Sequence, residues 1–159
     1  MICSKQVLLH ANDLLDLQFL QNGSFRPAYV QGSIYHTILE IVKMLSLTLV
    51  DRDVKIIYEL NAIKPYRGLS FDKRRLQQVL YNLLTNAIKF TRQGMITVYG
   101  KYSRTEHMVE ISVTDEGIGM SQDEANRVFE GSLKTGNDES KKLNPYSNGI
   151  GLSICKQLC

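Results

Sequence analysis

The chain is poor in most features that sort a 159-residue sequence quickly. Its three cysteines, Cys3, Cys155 and Cys159, are too few and too irregularly spaced for a disulfide framework or a zinc site. They read as free thiols in a reducing compartment. Charge of one sign is missing as well: 19 Lys and Arg against 16 Asp and Glu leave a formal net charge of +3, too little for a nucleic-acid surface. The basic doublets Arg74-Arg75 and Lys141-Lys142 are accounted for by solvated faces. Nor is there a long apolar run. The greasiest stretch, Ile34 to Val50, is interrupted by His36, Glu40 and Lys43 at helical spacing. That makes an amphipathic helix, and nothing in the sequence reads as a membrane span or a signal peptide. Internal repeats and low-complexity tracts are absent. What is there, 43% hydrophobic and 22% charged residues, describes a soluble, cytoplasmic globular domain with one core and room for a short appendage.

From Lys5 to Leu20, Val7, Leu8, Leu14, Leu15, Leu17 and Leu20 suit a helix packed on a partner, closed by Asn22-Gly23. Phe25 to Val30 contains Pro27 and predicts an edge strand at best. Ser33 is the N-cap of a second helix. Val54 to Leu60 is a β-branched and aromatic strand, followed by an irregular stretch with Pro65 and Gly68. Asp72 caps a long helix reaching about Phe90. Strands over Met95–Tyr102 and Met108–Thr114 follow, and Ser121 with Glu124 forms a capping box. Gly131 to Asn148 is a polar loop, and a last helix begins near Gly149. The order predicts an α+β two-layer sandwich, one mixed sheet with helices on one face.

Three segments carry candidate chemistry. On the long helix, Leu76, Val79, Leu80, Leu83, Leu84, Ala87 and Ile88 form an apolar stripe, with Gln78, Asn82, Asn86 and Lys89 aligned beside it. Two asparagines inside a helix are unfavourable by propensity and call for a reason; amides that merely bridge elements are one such reason. Next, Asp115-Glu116-Gly117-Ile118-Gly119-Met120 follows a strand. An aspartate there can accept from an exocyclic amine, and glycines let the backbone approach a flat ligand; a turn with an Asx cap accounts for the pattern equally well. Third, Asn148-Gly149-Ile150-Gly151-Leu152 opens a helix, a start that suits phosphate. It has neither the lysine of a P-loop nor the spacing of a dinucleotide fingerprint.

Together, Asn-x-x-x-Asn-Ala-x-Lys, Asp-x-Gly-x-Gly, a polar lid and Gly-x-Gly-Leu resemble the N box and glycine boxes of the GHKL ATP-binding superfamily, which holds gyrase, Hsp90, MutL and the histidine kinases. The run Gln78 to Thr91, Gln-Val-Leu-Tyr-Asn-Leu-Leu-Thr-Asn-Ala-Ile-Lys-Phe-Thr, is similar to the histidine kinase version, and the resemblance covers about Gly32 to Cys159. It implies the Bergerat form of the sandwich, with a catalytic ATP-binding domain over 24–159 and, over 1–23, the end of a dimerisation and phosphoacceptor hairpin. It implies further strands beyond Cys159, including a threonine that backs up the adenine contact.

Position by position, the resemblance makes Asn86 the ligand of the Mg²⁺ on the ATP phosphates, with Asn82 supporting the same cluster and Lys89 on phosphate oxygens. Asp115 would bind the adenine amine; Gly117, Ile118 and Gly119 would form its pocket; Gly149, Gly151 and Leu152 would bring main-chain N–H groups to the phosphates. ATP and Mg²⁺ are the implied cofactors. The implied partners are the histidine-bearing hairpin of the same protein, a response-regulator receiver domain and a second copy in a homodimer, with no nucleic acid. Water-activating relatives carry a glutamate where Asn82 stands, and an amide cannot take a proton. The site is therefore expected to keep the γ-phosphoryl for another acceptor. His10 lacks the flanking acidic residue and downstream proline of an acceptor box, and His36 and His107 are expected to be structural or exposed. After Phe129-Glu130 the family's second aromatic is replaced by Gly131-Ser132-Leu133, and Ser147-Asn148 stand where a further glycine is common. The alternatives are a clamp-type ATPase of the gyrase, Hsp90 and MutL kind, against which Asn82 and the front helix speak, and a degenerate kinase-like binding module.

Overall fold

The computed structural model describes residues 24–129 and 150–159. The expectations for the front segment 1–23 with His10, for Glu130 and the lid 131–148, and for Gly149 lie outside the described residues. In chain order the described elements are β1 (Val30–Gly32), α1 (Ile34–Ser46), β2 (Val54–Glu59), β3 (Leu69–Phe71), α2 (Lys73–Phe90), β4 (Gly94–Ser103), β5 (Met108–Asp115), α3 (Gln122–Arg127) and α4 (Ile150–Leu158).

The helix starts follow the caps seen in the sequence. Ser33 Oγ accepts from His36 N at the head of α1, and Asp72 Oδ1 accepts from Arg75 N at the head of α2. Ser121 and Glu124 make both bonds of a capping box on α3. α1 turns Ile34, Ile38, Ile41, Val42 and Leu45 inward, and α2 turns Leu80, Leu84 and Ala87 inward. Both helices cover one face of a mixed three-stranded sheet of order β2-β4-β5. β2 runs parallel to β4, joined by a crossover that includes α2, and β5 runs antiparallel to β4. Along β4, Ile96, Val98 and Gly100 are buried while Met95, Tyr99 and Lys101 are exposed. One face is therefore core and the other solvent, the pattern of a two-layer sandwich. No helix among the described residues is long and apolar enough to cross a membrane.

Leu84 is completely buried at the centre of this layer. Leu84→Ala should cost about 2–5 kcal/mol, from lost transfer energy and the cavity left behind. Urea denaturation would measure it, and a cost below about 1 kcal/mol would remove Leu84 from the core.

Three local expectations need correction. The extended piece at Phe25–Val30 is not a strand until Val30, and the stretch with Pro65 and Gly68 contains β3. β1 and β3 pair antiparallel as a separate two-stranded ladder, helped by Ala28 N donating to Asp72 Oδ2 at 2.8 Å. Three-residue strands have no legible alternation, and this pair exists only through a long-range contact. Finally, the amphipathic helix from Ile34 stops at Ser46 and tightens into a 3₁₀ turn over Leu47–Leu49. Ser46 Oγ and Thr48 Oγ1 donate to the carbonyls of Val42 and Leu45 there, the local competition that weakens a helix end.

Candidate nucleotide site

α2 sets the floor of the site. Its apolar stripe locks the rotation of the helix, so Asn82, Asn86 and Lys89 come to lie half-buried along the neighbouring edge. Asn82 and Asn86 are one turn apart on that edge. Gln78, expected beside them, is engaged elsewhere: its Oε1 accepts from an Arg75 guanidinium nitrogen at 2.8 Å, and that guanidinium also lies 5.1 Å from the Phe25 ring centroid.

α4 closes against the same helix. Asn82 Nδ2 donates to Gly151 O at 3.4 Å, and a Cβ at Gly151 would lie 3.3 Å from the Asn82 amide carbon. The N-box asparagine and the last glycine motif, 69 residues apart in the chain, are in direct contact. One turn on, Cys155 Sγ is 3.9 Å from Val79 O. Phe129 lines an apolar groove with Val79, Leu83, Cys155 and Cys159.

The third side is the turn after β5. Asp115 faces Ile96 across the strand pair, which puts it on the helix-covered face of the sheet. Its Oδ1 accepts from Gly117 N at 2.9 Å, and Ile118 N donates to Phe90 O, at the end of α2, at 3.2 Å. Gly117 is required by space: a Cβ there would sit 2.6 Å from both Asp115 Oδ1 and Phe90 O. Gly119 has φ +67° and open space around it. Ile118 is 45% exposed and no part of the core.

Lys89 lies 4.4 Å over the Phe90 ring, and burial lowers its ammonium pKa from the usual lysine value. An anion alongside would oppose that shift, as a phosphate contact requires. Leu152 is half-buried at the start of α4. His36 and His107 are both exposed. His36 bonds Ser33 Oγ at 2.9 Å, and His107 takes a left-handed turn conformation with φ 53°.

The donor set suits a hard cation shared with phosphates rather than a closed protein metal site. No group of three or more His, Cys, Asp or Glu is gathered among the described residues, and the groups on the α2 edge are neutral amide oxygens and one ammonium. Sequence patterns do not single out Phe90, Gly94 or Glu116, which shape the Asp115 turn: Phe90 O accepts from Ile118 N, Glu116 Oε2 accepts from Met95 N, and Gly94 leaves room for the Glu116 side chain. A glycine as the opening residue of a strand, as at Gly94, is the available signal.

The sequence pattern described as histidine kinase-, DNA gyrase B- and HSP90-like ATPase matches residues 71–159, more than half of the chain. The chain belongs to this ATPase family. Among its curated relatives, the adaptive-response sensory kinase SasA of Crocosphaera subtropica is 32% identical over 146 residues, 92% of this chain and 37% of that protein. The autoinducer 2 sensor kinase/phosphatase LuxQ of Vibrio harveyi is 28% identical over 97% of this chain and 18% of its own. The chain thus spans well under half the length of these relatives. Among solved structures, full-length ShkA in complex with AMPPNP superposes with a TM-score of 0.77 at 24% identity, over 98% of this chain and 31% of that one. Histidine kinase AdeS of Acinetobacter baumannii gives 0.73 at 20%, over 99% and 68%. The fold of this ATPase family member is that of a histidine kinase catalytic domain, as the resemblance implied.

Proposed function

We propose that residues 24–159 bind Mg-ATP between α2, the β5 turn and α4, and that the γ-phosphoryl passes to a histidine outside these 159 residues. Residues 1–23 are then the end of the dimerisation hairpin, that histidine lies on the hairpin of the same homodimeric protein, and a receiver-domain aspartate of a response regulator is the next acceptor. The protein works in the cytoplasm. The observation that carries this proposal is Asn82, an amide held against Gly151 on the phosphate side of the site. The sensory-kinase relatives and the AMPPNP complex of ShkA point the same way.

Each residue then has a role in its place. Asp115 accepts the adenine amine with the oxygen that Gly117 does not use; Ile118, Gly117 and Gly119 form the wall for the base. Gly151 and Leu152 offer N–H groups at the helix start, Gly149 would add its own to the same phosphates, and Lys89 meets phosphate oxygens. Asn86, with an amide oxygen one turn from Asn82, would hold Mg²⁺, which screens the negative charge on the phosphates. In the transfer, an imidazole nitrogen forms a bond to the γ-phosphorus as the β–γ bridging bond breaks and ADP leaves. Asn82 offers no base to a water molecule, so phosphoryl loss to solvent stays slow.

The chain incubated with γ-labelled ATP, Mg²⁺ and the separately produced hairpin of a sensor kinase should place acid-labile, base-stable label on the hairpin. Without the hairpin, the chain should stay unlabelled and hydrolysis slow, and His10→Ala should change nothing. Label on His10 approaching one per chain would overturn the placement of the acceptor, and rapid hydrolysis with no transfer would favour the clamp-type ATPase.

A further inference from the structure

The turn that carries Asp115 leaves its strand by an irregular rung. Ile96 faces Asp115, so the next rung joins Met95 to Glu116. In a regular hydrogen-bonded rung two opposed residues exchange both main-chain bonds. Glu116 N does donate to Met95 O, at 3.2 Å. The return bond differs: Met95 N donates to the side-chain Oε2 of Glu116, at 2.9 Å. The carboxylate stands where a main-chain carbonyl belongs. The peptide after Glu116 is thereby released from the ladder and turns into Gly117, whose N–H comes back to Asp115.

The opposite strand is shaped to receive this side chain. Gly94 has φ +111°, and a Cβ there would run into Glu116 Oε2 and lie 3.3 Å from Glu116 Cβ. Gly94 N is itself tied to Asp53 O at 2.8 Å, on the far side from β5. Glycine is required here twice, by its backbone angle and by the space the carboxylate fills.

We infer that Glu116 is a positioning residue of the nucleotide site: seated on the Met95 N–H in the space left by Gly94, its carboxylate sets where the chain leaves β5 and so aims Asp115 at the base. This rests on Asp115 being the residue that recognises the base. Glu116 itself does not touch the nucleotide. What matters is the reach of an oxygen acceptor, not negative charge. Gln keeps the reach and loses the charge, whereas Asp keeps the charge and falls one carbon short.

The test measures displacement of a fluorescent ATP analogue by ATP and by GTP, with melting of the nucleotide-free chain alongside. Glu116→Gln should match the wild type in ATP affinity and in the ATP:GTP ratio. Glu116→Asp and Glu116→Ala should each lose about tenfold in ATP affinity, the scale of one lost hydrogen-bonded support, and should compress the ratio. If Ala does not fold, the Gln and Asp pair carries the comparison. Asp behaving as wild type with Gln impaired would make charge the cause and overturn the inference. Equal losses for both nucleotides with a lowered melting point would make Glu116 merely structural, with the same result, and so would wild-type behaviour throughout. Asp115→Asn in the same assay tells the two levels apart. If it shifts the ratio while the Glu116 variants do not, only the positioning role fails. If it leaves the ratio unchanged, base recognition by Asp115 fails and the inference falls with it.

Discussion

Asn86→Ala should abolish Mg²⁺-dependent ATP binding and leave the domain folded. The asparagine sits on the half-buried polar edge of α2, away from Leu80, Leu84 and Ala87, and makes no side-chain hydrogen bond to any described residue. Removing it opens no cavity in the core, and alanine is the better helix former, so stability should hold or rise by a few tenths of a kcal/mol, on the order of the propensity difference. Binding should fall by about a hundredfold or more, equivalent to about 3 kcal/mol. Calorimetry with and without a chelator isolates the cause. In the wild type, removing Mg²⁺ should lower affinity to the level of the variant; in the variant, Mg²⁺ should make no difference, because the two deletions remove the same interaction. Undiminished affinity in the variant would sink the assignment of Asn86.

Asp115→Asn should invert part of the base preference. One carboxylate oxygen already accepts from Gly117 N. The other is left for the exocyclic amine of the proposed base, which would give one side chain two acceptor roles. An amide has only one. With its oxygen towards Gly117, its NH₂ faces the adenine amine; turned round, its NH₂ faces the Gly117 N–H. Either orientation sets a donor against a donor. GTP presents a carbonyl at the same ring position and would accept from that NH₂. The ATP:GTP ratio should drop by about 2 kcal/mol, roughly thirtyfold, by the penalty for an unsatisfied group. Competition binding measures it, and equal losses for the two nucleotides would reduce Asp115 to a packing role.

Much of this architecture was legible because its signals are local. Asp72 caps a helix that runs to Phe90, and the stripe from Leu76 to Ile88 fixes which face is buried; both are read within a few residues. The same holds for Ser33 and for the Ser121–Glu124 box. β3 escaped because Leu69–Phe71 is short and finds its partner at Val30–Gly32, far off in the chain. The site divides along the same line. Asp115, Gly117 and Gly119 form a motif, and their geometry follows from it. Glu116 acts through its carboxylate on the Met95 N–H, and Phe90 through its carbonyl on the Ile118 N–H, which no spacing reveals. Gln78 shares the spacing of the polar edge, yet Arg75 next to it takes its amide oxygen. Periodicity tells which edge a side chain occupies and leaves open what it bonds there.

The way α4 is fastened has a consequence for what a bound ligand would do to the molecule. Its described contacts run chiefly to α2, through Asn82 with Gly151 and Val79 with Cys155, across 69 and 76 residues of chain. The ladder of β2, β4 and β5 does not include it. α4 is thus anchored to the described structure through α2, with Ile154 and Cys155 buried, rather than through the sheet. A ligand gripped by α2 on one side and α4 on the other, as proposed, would act as a reversible cross-link between them. A nucleotide bound as proposed would therefore stabilise the packing of α4 on α2 along with itself.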